Sequence, residues 1–351
     1  MSAPATTAWS PGSEDPAAHA AFDVVVPTVG RPGLDGLLWV FCHALPEGSR
    51  VVVVDDRRPG SPPLEPGVDD PRLCVVRSGG RGPAAARNAG WQATSAPWVA
   101  FVDDDVEPPL SWVRDLADDL TRAPAGTAAV QGRVEVPLPA DRPATDWERN
   151  VAGLDGATWI TADMAVRREA LEQVGGFDER FARAYREDTD LALRLLDAGW
   201  RLEVGQRRVR HPVREAPWWV SVPLQRGNAD DVLLDRLHGP GWRERLEAGR
   251  RAPISYPTIT ALGAGALAAL ASGRHRLAAA AGAAWALCTG RFWWARTAPG
   301  PRTAREVGAM AMTSAAIPPV ACYHRIRGSL RWRRVTPGTA PGDLVPAGGR
   351  S

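Results

Sequence analysis

A chain of 351 residues with 42 basic and 40 acidic side chains carries a net charge of +2, too near balance to argue for nucleic acid as a partner. Every basic residue is arginine, so a Walker-type phosphate loop, a Schiff base and a lysine general base are all excluded. The cysteines Cys42, Cys74, Cys288 and Cys322 lie far apart without metal-ligand spacing and read as reduced thiols of an intracellular protein.

Residues 1–20 are rich in Ala, Pro, Ser and Thr, with neither a basic start nor an apolar core, and read as a disordered tail. From Phe22 short apolar runs alternate with helical spacing, the mark of an α/β protein. "FDVVVP" (22–27) reads as a strand buried on both faces of a parallel sheet, and Leu34, Leu37, Leu38 and Phe41 then recur at helical spacing. "RVVVVDD" (50–56) and "LCVVR" (73–77) are the second and third strands. "GRGPAAARNAGWQ" (80–92) supplies a glycine-rich turn, a proline suited to a first helical turn and an alanine-rich helix. "WVAFVDDD" (98–105) is the fourth strand, followed by a helix over Leu110–Leu120. "AAVQGRVEV" (128–136) is a strand, 137–157 a long connection, and "TWITADMAV" (158–166) another strand. A helix stops at Gly175, and "REDTDLALRLLDAGW" (186–200) is a further helix that Asp188 or Thr189 can cap. "RLEVG" and "RVRHPV" complete the sheet, so residues 21–215 form one domain.

Two strands finish in acids: Val51–Val54 runs into Asp55 and Asp56, and Val99–Val102 into Asp103, Asp104 and Asp105. Ligands of open α/β sheets bind beyond the carboxyl ends of the strands, which gives the two acidic ends a shared purpose. A nucleotide diphosphate suits them. One carboxylate accepts from a base N–H or a ribose hydroxyl, while another holds Mg²⁺ or Mn²⁺ together with phosphate oxygens. The cation also offsets the repulsion among three adjacent aspartates. Arg87 offers a forked contact to the same phosphates. A solvated acidic turn and a surface helix arginine are the plain alternatives.

The ordered set "VVVPTVGRP", "VVVVDD", "GPAAARNAG", "FVDDDVEPPLSW", "ADMAVRREALEQVGGFDERF" and "EDTDLALRLLDAGW" resembles glycosyltransferase family 2 with the GT-A fold, from Phe22 to His211. The resemblance implies a mixed, mostly parallel sheet flanked by helices. It also implies a metal-dependent, inverting transfer of a sugar from a nucleotide diphosphate donor to a glycan or lipid-linked acceptor. Pro27 and Thr28 would line the base pocket, with Asp56, and Asp55 beside it, meeting the base. Asp103 and Asp104 would approach the ribose and the donor sugar. Asp105 would bind the divalent cation, with His211 as a second ligand. Asp188 would be the catalytic base and Glu187 would orient the acceptor. A base must face the leaving group across the sugar, which a carboxylate on another element can do; a plain helix cap is the alternative. Asp163, a further acceptor candidate, stands where relatives show asparagine, and "RRPG" replaces the usual residues after the first acidic pair, both bearing on acceptor and base specificity.

Residues 216–251 mix paired tryptophans with arginines and acids. Similar enzymes cover the acceptor with such a segment, which makes Trp218, Trp219, Arg226, Asn228 and Asp230 acceptor candidates; an amphipathic helix packed on the catalytic domain is the alternative. Residues 252–273 hold no charge, a span sufficient for a hydrocarbon core of roughly thirty ångströms, but they are rich in Ala, Gly, Thr and Pro. Residues 277–290 are short for the purpose, and Pro318 and Pro319 interrupt 307–323. Clustered arginine and tryptophan suit helices lying in the headgroup layer. Residues 252–334 are therefore expected to form a helical membrane-associated region on the cytoplasmic face of the cell membrane, with spanning helices as the alternative and 335–351 as a Pro/Gly-rich tail. A catalytically silent membrane-bound scaffold is the competing function. A sugar-phosphate nucleotidylyltransferase needs a lysine after the first strand, and the spacing of Gly30, Gly33 and Gly36 does not fit a dinucleotide fingerprint.

Overall fold

The computed structural model describes residues 20–246 and 255–339, so both expected tails and the end of the 216–251 segment fall largely outside the described residues. Seven strands form one sheet: β1 (Phe22–Thr28), β2 (Val51–Asp55), β3 (Leu73–Arg77), β4 (Trp98–Val102), β5 (Thr127–Glu135), β6 (Asp163–Arg167) and β7 (Arg201–Arg210). Their order is β3-β2-β1-β4-β6-β5-β7. Strands β1 to β4 pair in parallel, β6 runs against both β4 and β5, and β7 returns parallel to β5. This mixed, mostly parallel sheet matches the GT-A expectation.

The valine runs work because a strand's side chains alternate between faces. Val24 and Val26 join one core with Leu34, Leu38 and Phe41 of α1 (Leu34–Ala44) and with Trp112 and Leu116 of α3 (Trp112–Arg122). Val25 joins the opposite core with Ala84 and Trp91 of α2 (Pro83–Gln92), Leu171 of α5 (Arg168–Val174) and Leu191 of α6 (Glu187–Asp197). Close approach of α2 to the sheet requires Gly90, where a Cβ would stand 2.3 Å from Val25 Cγ1.

Three sequence expectations change in detail. The 137–157 connection contains α4 (Asp146–Ala152), a short helix with a capping box between Thr145 and Glu148. The strand expected at 158–166 begins only at Asp163, and the two pieces expected at the sheet's end are one continuous β7. Asp163, expected near the acceptor, is fully buried instead. Its carboxylate accepts from Arg207 Nε at 2.9 Å and Trp112 Nε1 at 3.1 Å, while Arg207 also reaches Asp119. A buried guanidinium needs two carboxylates more than a substrate needs one, so Asp163 is a fastening of β6, β7 and α3.

Beyond the sheet lie α7 (Asn228–His238), α8 (Trp242–Arg245), α9 (Tyr256–Ala271), α10 (His275–Thr297) and α11 (Ala304–Arg331). Ile259, Phe292 and Ile317 form the small core of the last three helices. Helix α11 runs through Pro318 and Pro319 rather than breaking there, with Ile317 and Pro318 buried. No helix among the described residues is long and apolar enough to cross a membrane.

Candidate active site

The carboxyl ends of β1, β2 and β4 open into a cleft of about 510 Å³. Pro27, Thr28 and Asp56 stand on one side; Asp103, Asp104 and Asp105 lie at the floor; Glu187, Asp188 and His211 close the other side. The elements explain the convergence. Strands β1 and β4 are neighbours, so Thr28 and Asp104 leave adjacent strand ends, and Thr28 Oγ1 donates to Asp104 Oδ2 at 2.6 Å. His211 is delivered by the far edge of the sheet. Glu107 and Arg210 exchange two backbone hydrogen bonds, at 2.7 and 3.0 Å, and fold the end of β7 against the acidic loop.

Asp56 is held from two directions, accepting from Ser78 Oγ at 2.5 Å and from the Gly82 backbone N–H at 3.0 Å. Each carboxylate oxygen can accept more than one hydrogen bond, so Asp56 still has capacity for a base N–H. Asp55 differs from expectation. It is buried at the end of β2 and bound by both Arg57 Nε and Arg57 Nη2, at 2.8 and 2.9 Å, away from the cleft lining. That forked pair makes Asp55 a support for the turn that aims Asp56.

Arg87 reaches the cleft from beneath. It is 2 % exposed and bridges Asp103 Oδ1, at 2.7 Å, and Glu187 Oε1, at 2.9 Å. Burial works against its charge, but Asp103 and Glu187 more than offset that and raise its pKa. Glu187 is pushed up to about 8, first by burial and then by the adjacent Asp188, with Arg87 opposing. Asp188 is also raised by burial, against Arg87 and the Thr189 backbone N–H that donates to its Oδ1 at 2.6 Å. A pair of carboxyls with raised proton affinity beside a fixed guanidinium is suited to taking up a proton. Neither acid caps its helix by its side chain; Arg186, in the left-handed region at φ 78°, turns the chain into α6.

At the floor, Asp104 is pushed up to about 6, chiefly by burial, with the Thr28 hydroxyl and Arg31 opposing and Asp105 and Asp103 adding to it. Asp105 is raised by burial and Asp103. Two arginines that sequence reasoning missed answer this charge. Arg31 Nε lies 2.7 Å from Asp104 Oδ1, and Arg214 Nη2 lies 2.8 Å from Asp105 Oδ2. The available signals were the arginine three residues after Thr28 and the one three residues after His211.

The residues fit a divalent cation. Asp105 Oδ1 and His211 Nε2 are 3.5 Å apart, too long for a good hydrogen bond and compatible with two ligands of one ion. His211 Nδ1 is buried without a hydrogen-bond partner among the described residues, so neither imidazole nitrogen is otherwise engaged in a good hydrogen bond. No cluster of three or more His, Cys, Asp or Glu ligands exists among the described residues, so Asp105 and His211 would supply two ligands of the ion. A carboxylate with an imidazole favours a transition ion over Mg²⁺.

The acceptor candidates on the 216–251 segment fall elsewhere. None of Trp218, Trp219, Arg226 and Asn228 lines this cleft. Trp218 lines a separate hollow beside α4 and α11, and Arg226 another between α7 and α11. Asn228 Nδ2 donates to the Gln225 carbonyl at 2.9 Å, and Asp230 pairs with Arg183. Trp147, Asn150 and Tyr185 are instead among the residues that line the cleft of the aspartates.

Residues 23–175 match the family model described as "Glycosyl transferase family 2". That segment, less than half of the chain, is similar to glycosyltransferase family 2. The chain is 32% identical over 173 aligned residues to a pre-mycofactocin glycosyltransferase of Mycobacterium tuberculosis, with the same figures for strains CDC 1551 / Oshkosh and ATCC 25618 / H37Rv. The match covers 44% of this chain and 35% of the relative, so the chain spans about a third of the length of the curated proteins it matches. Among solved structures, GalNAc-T7 with UDP, GalNAc and Mn²⁺ aligns with a TM-score of 0.43 at 16% identity, covering 56% of this chain and 44% of the other. Glucosyl-3-phosphoglycerate synthase from Mycobacterium tuberculosis, with Mn²⁺, UDP-glucose and phosphoglyceric acid, aligns with a TM-score of 0.41 at 17% identity, covering 63% and 84%.

Proposed function

We propose that the chain transfers a glycosyl group, with inversion, from a nucleotide diphosphate sugar to a hydroxyl of a glycan or lipid-linked acceptor. The observation that carries this reading is that Asp105, just after β4, and Asp188, in the first turn of α6, line one cleft. Pro27, Thr28 and Asp56 receive the nucleoside, and Arg87 keeps Asp103 turned toward the donor. Asp188 takes the acceptor hydroxyl proton as the oxygen bonds to the anomeric carbon and the sugar–phosphate bond breaks, its electron pair leaving with the nucleoside diphosphate. Glu187, tied to Arg87, fixes the first turn of α6 beneath that base. A divalent cation held by Asp105 and His211 supplies charge stabilisation to the departing diphosphate. Attachment to the cytoplasmic face of the cell membrane through α9–α11 belongs to the same reading, supported by the exposed leucines and tryptophan of those helices.

Thermal-shift titrations of UDP, GDP and dTDP with and without Mn²⁺ test the donor half. One nucleotide is expected to raise the midpoint, and Mn²⁺ to add to it. If no nucleoside diphosphate stabilises the chain, the reading fails. Asp105→Asn is expected to weaken Mn²⁺-dependent nucleotide binding by about tenfold or more, in line with losses at metal sites.

A further inference from the structure

A second hollow lies outside the catalytic cleft, between the 180–183 segment, α7 and α11. It measures about 200 Å³, and five arginines line it: Arg180, Arg183, Arg226, Arg327 and Arg331. Only two acids answer them, Asp178 paired with Arg180 and Asp230 paired with Arg183. Arg226, Arg327 and Arg331 form no ion pair with any described residue, although Arg331 stacks over the Trp332 ring at 4.5 Å. The floor is built rather than accidental. Gly328 lets α11 touch α7, since a Cβ there would stand 2.8 Å from Ala229 Cα. Trp332, at 3 % exposed, lines the hollow, and its indole N–H is buried with no acceptor among the described residues. A buried orphan donor beside guanidinium groups that form no ion pair with a described carboxylate has the chemistry to receive an anion.

We propose that this hollow binds a phosphate group, and that a phospholipid headgroup is the source the surroundings favour. Phosphate offers several acceptor oxygens to converging forked donors, as this lining requires. The lipid preference comes from the neighbouring face of α11. His324, Arg327 and Arg331 follow one helical stripe, and Tyr323, Ile326 and Leu330, all at least 60% exposed, follow the next. A stripe carrying two arginines beside an apolar one is the pattern of a helix seated at a headgroup layer. His324 reports the same field: burial and then Arg183, Arg226 and Arg327 hold its pKa below the ordinary value. The lipid preference rests on the membrane-face reading above, whereas the phosphate site itself does not.

The test titrates inorganic phosphate into the full chain by calorimetry at constant ionic strength. It compares the unsubstituted chain with Arg327→Ala/Arg331→Ala, with Trp332→Phe and with Asp105→Asn, each checked for an unchanged thermal midpoint. Binding is expected to fall about tenfold or more in the double variant, to weaken severalfold when only the indole N–H is removed, and to persist in Asp105→Asn. A second arm measures cosedimentation with phosphatidylcholine vesicles with and without phosphatidylglycerol. A loss of roughly thirtyfold in phosphatidylglycerol-dependent binding for the double variant assigns the headgroup as source. Phosphate binding without vesicle binding keeps the site and assigns a free phosphate. If the unsubstituted chain binds neither probe, or the double variant binds both equally well, the proposal is overturned. Donor turnover enters neither arm, so failure here leaves the transferase reading standing.

Discussion

The sheet half of the molecule and its last three helices handle polarity in opposite ways. Around the sheet, charge is inside: Asp23, Asp55, Arg87, Asp119, Asp163, Glu187 and Arg207 are all buried. On α9–α11, apolar groups are outside, with Leu267 at 71 %, Leu287 at 67 % and Leu330 at 66 % exposure. Buried charge and exposed apolar surface are the two departures from the ordinary pattern that carry information. In the sheet half each buried charge has a partner, which rigidifies the floor of a polar cleft. On the helices these leucines stand open at the surface of the described residues, the apolar face on which the membrane-attachment proposal rests.

The sharpest way to break this contrast is within the cleft. Asp188→Asn should lower transfer by about two to four orders of magnitude while leaving nucleoside diphosphate affinity unchanged, because a general base acts on the transition state. Equal loss of both in this variant would remove the division of labour between the two sides of the cleft. Next in size is the fastening of the sheet. Arg207→Met leaves Asp163 and Asp119 buried without their cation, and should cost about 3–5 kcal/mol in denaturant unfolding.

A pH experiment sharpens the same comparison. Glu187 is raised to about 8 from an ordinary 4.5, so its contribution to stability is complete below 4.5 and is lost as pH rises through 8. Glu187→Gln has no such loss. The difference in denaturation midpoint between the two proteins should therefore move in favour of Glu187→Gln between pH 5 and pH 8, as followed by circular dichroism. A difference that stays flat across this range would mean Glu187 stays ionised beside Arg87. The smallest effect belongs to the helices: Leu267→Ser and Leu287→Ser should each change unfolding stability by less than about 0.5 kcal/mol, as expected for exposed positions.

The same contrast explains what could be read in advance. Strands β1, β2 and β4 are visible as valine-rich runs because both their faces are buried, and the acids that end them mark the cleft. The resemblance to family 2 also implied that the acidic loop and Asp188 face one cleft, and both line it. Helix α4 was hidden because it is seven residues long and buries only Val151, leaving the Thr145–Glu148 capping pair as its one local sign. Asp163 was misread for a deeper reason. Its partners, Arg207 on β7 and Trp112 on α3, come from distant segments, and no local pattern reveals a pairing assembled only by the tertiary fold. Arg31 and Arg214 were missed on the same ground.

The two backbone bonds between Glu107 and Arg210 set up a mechanical consequence. An ion on Asp105 and His211 would add a fastener one step from that seam, closing a ring of chain that contains α3 through β7. Such a ring constrains the unfolded chain much as a cross-link does. Chelation would then loosen the hem of the sheet as well as the grip on the donor, and faster amide exchange along β7 would be its signature.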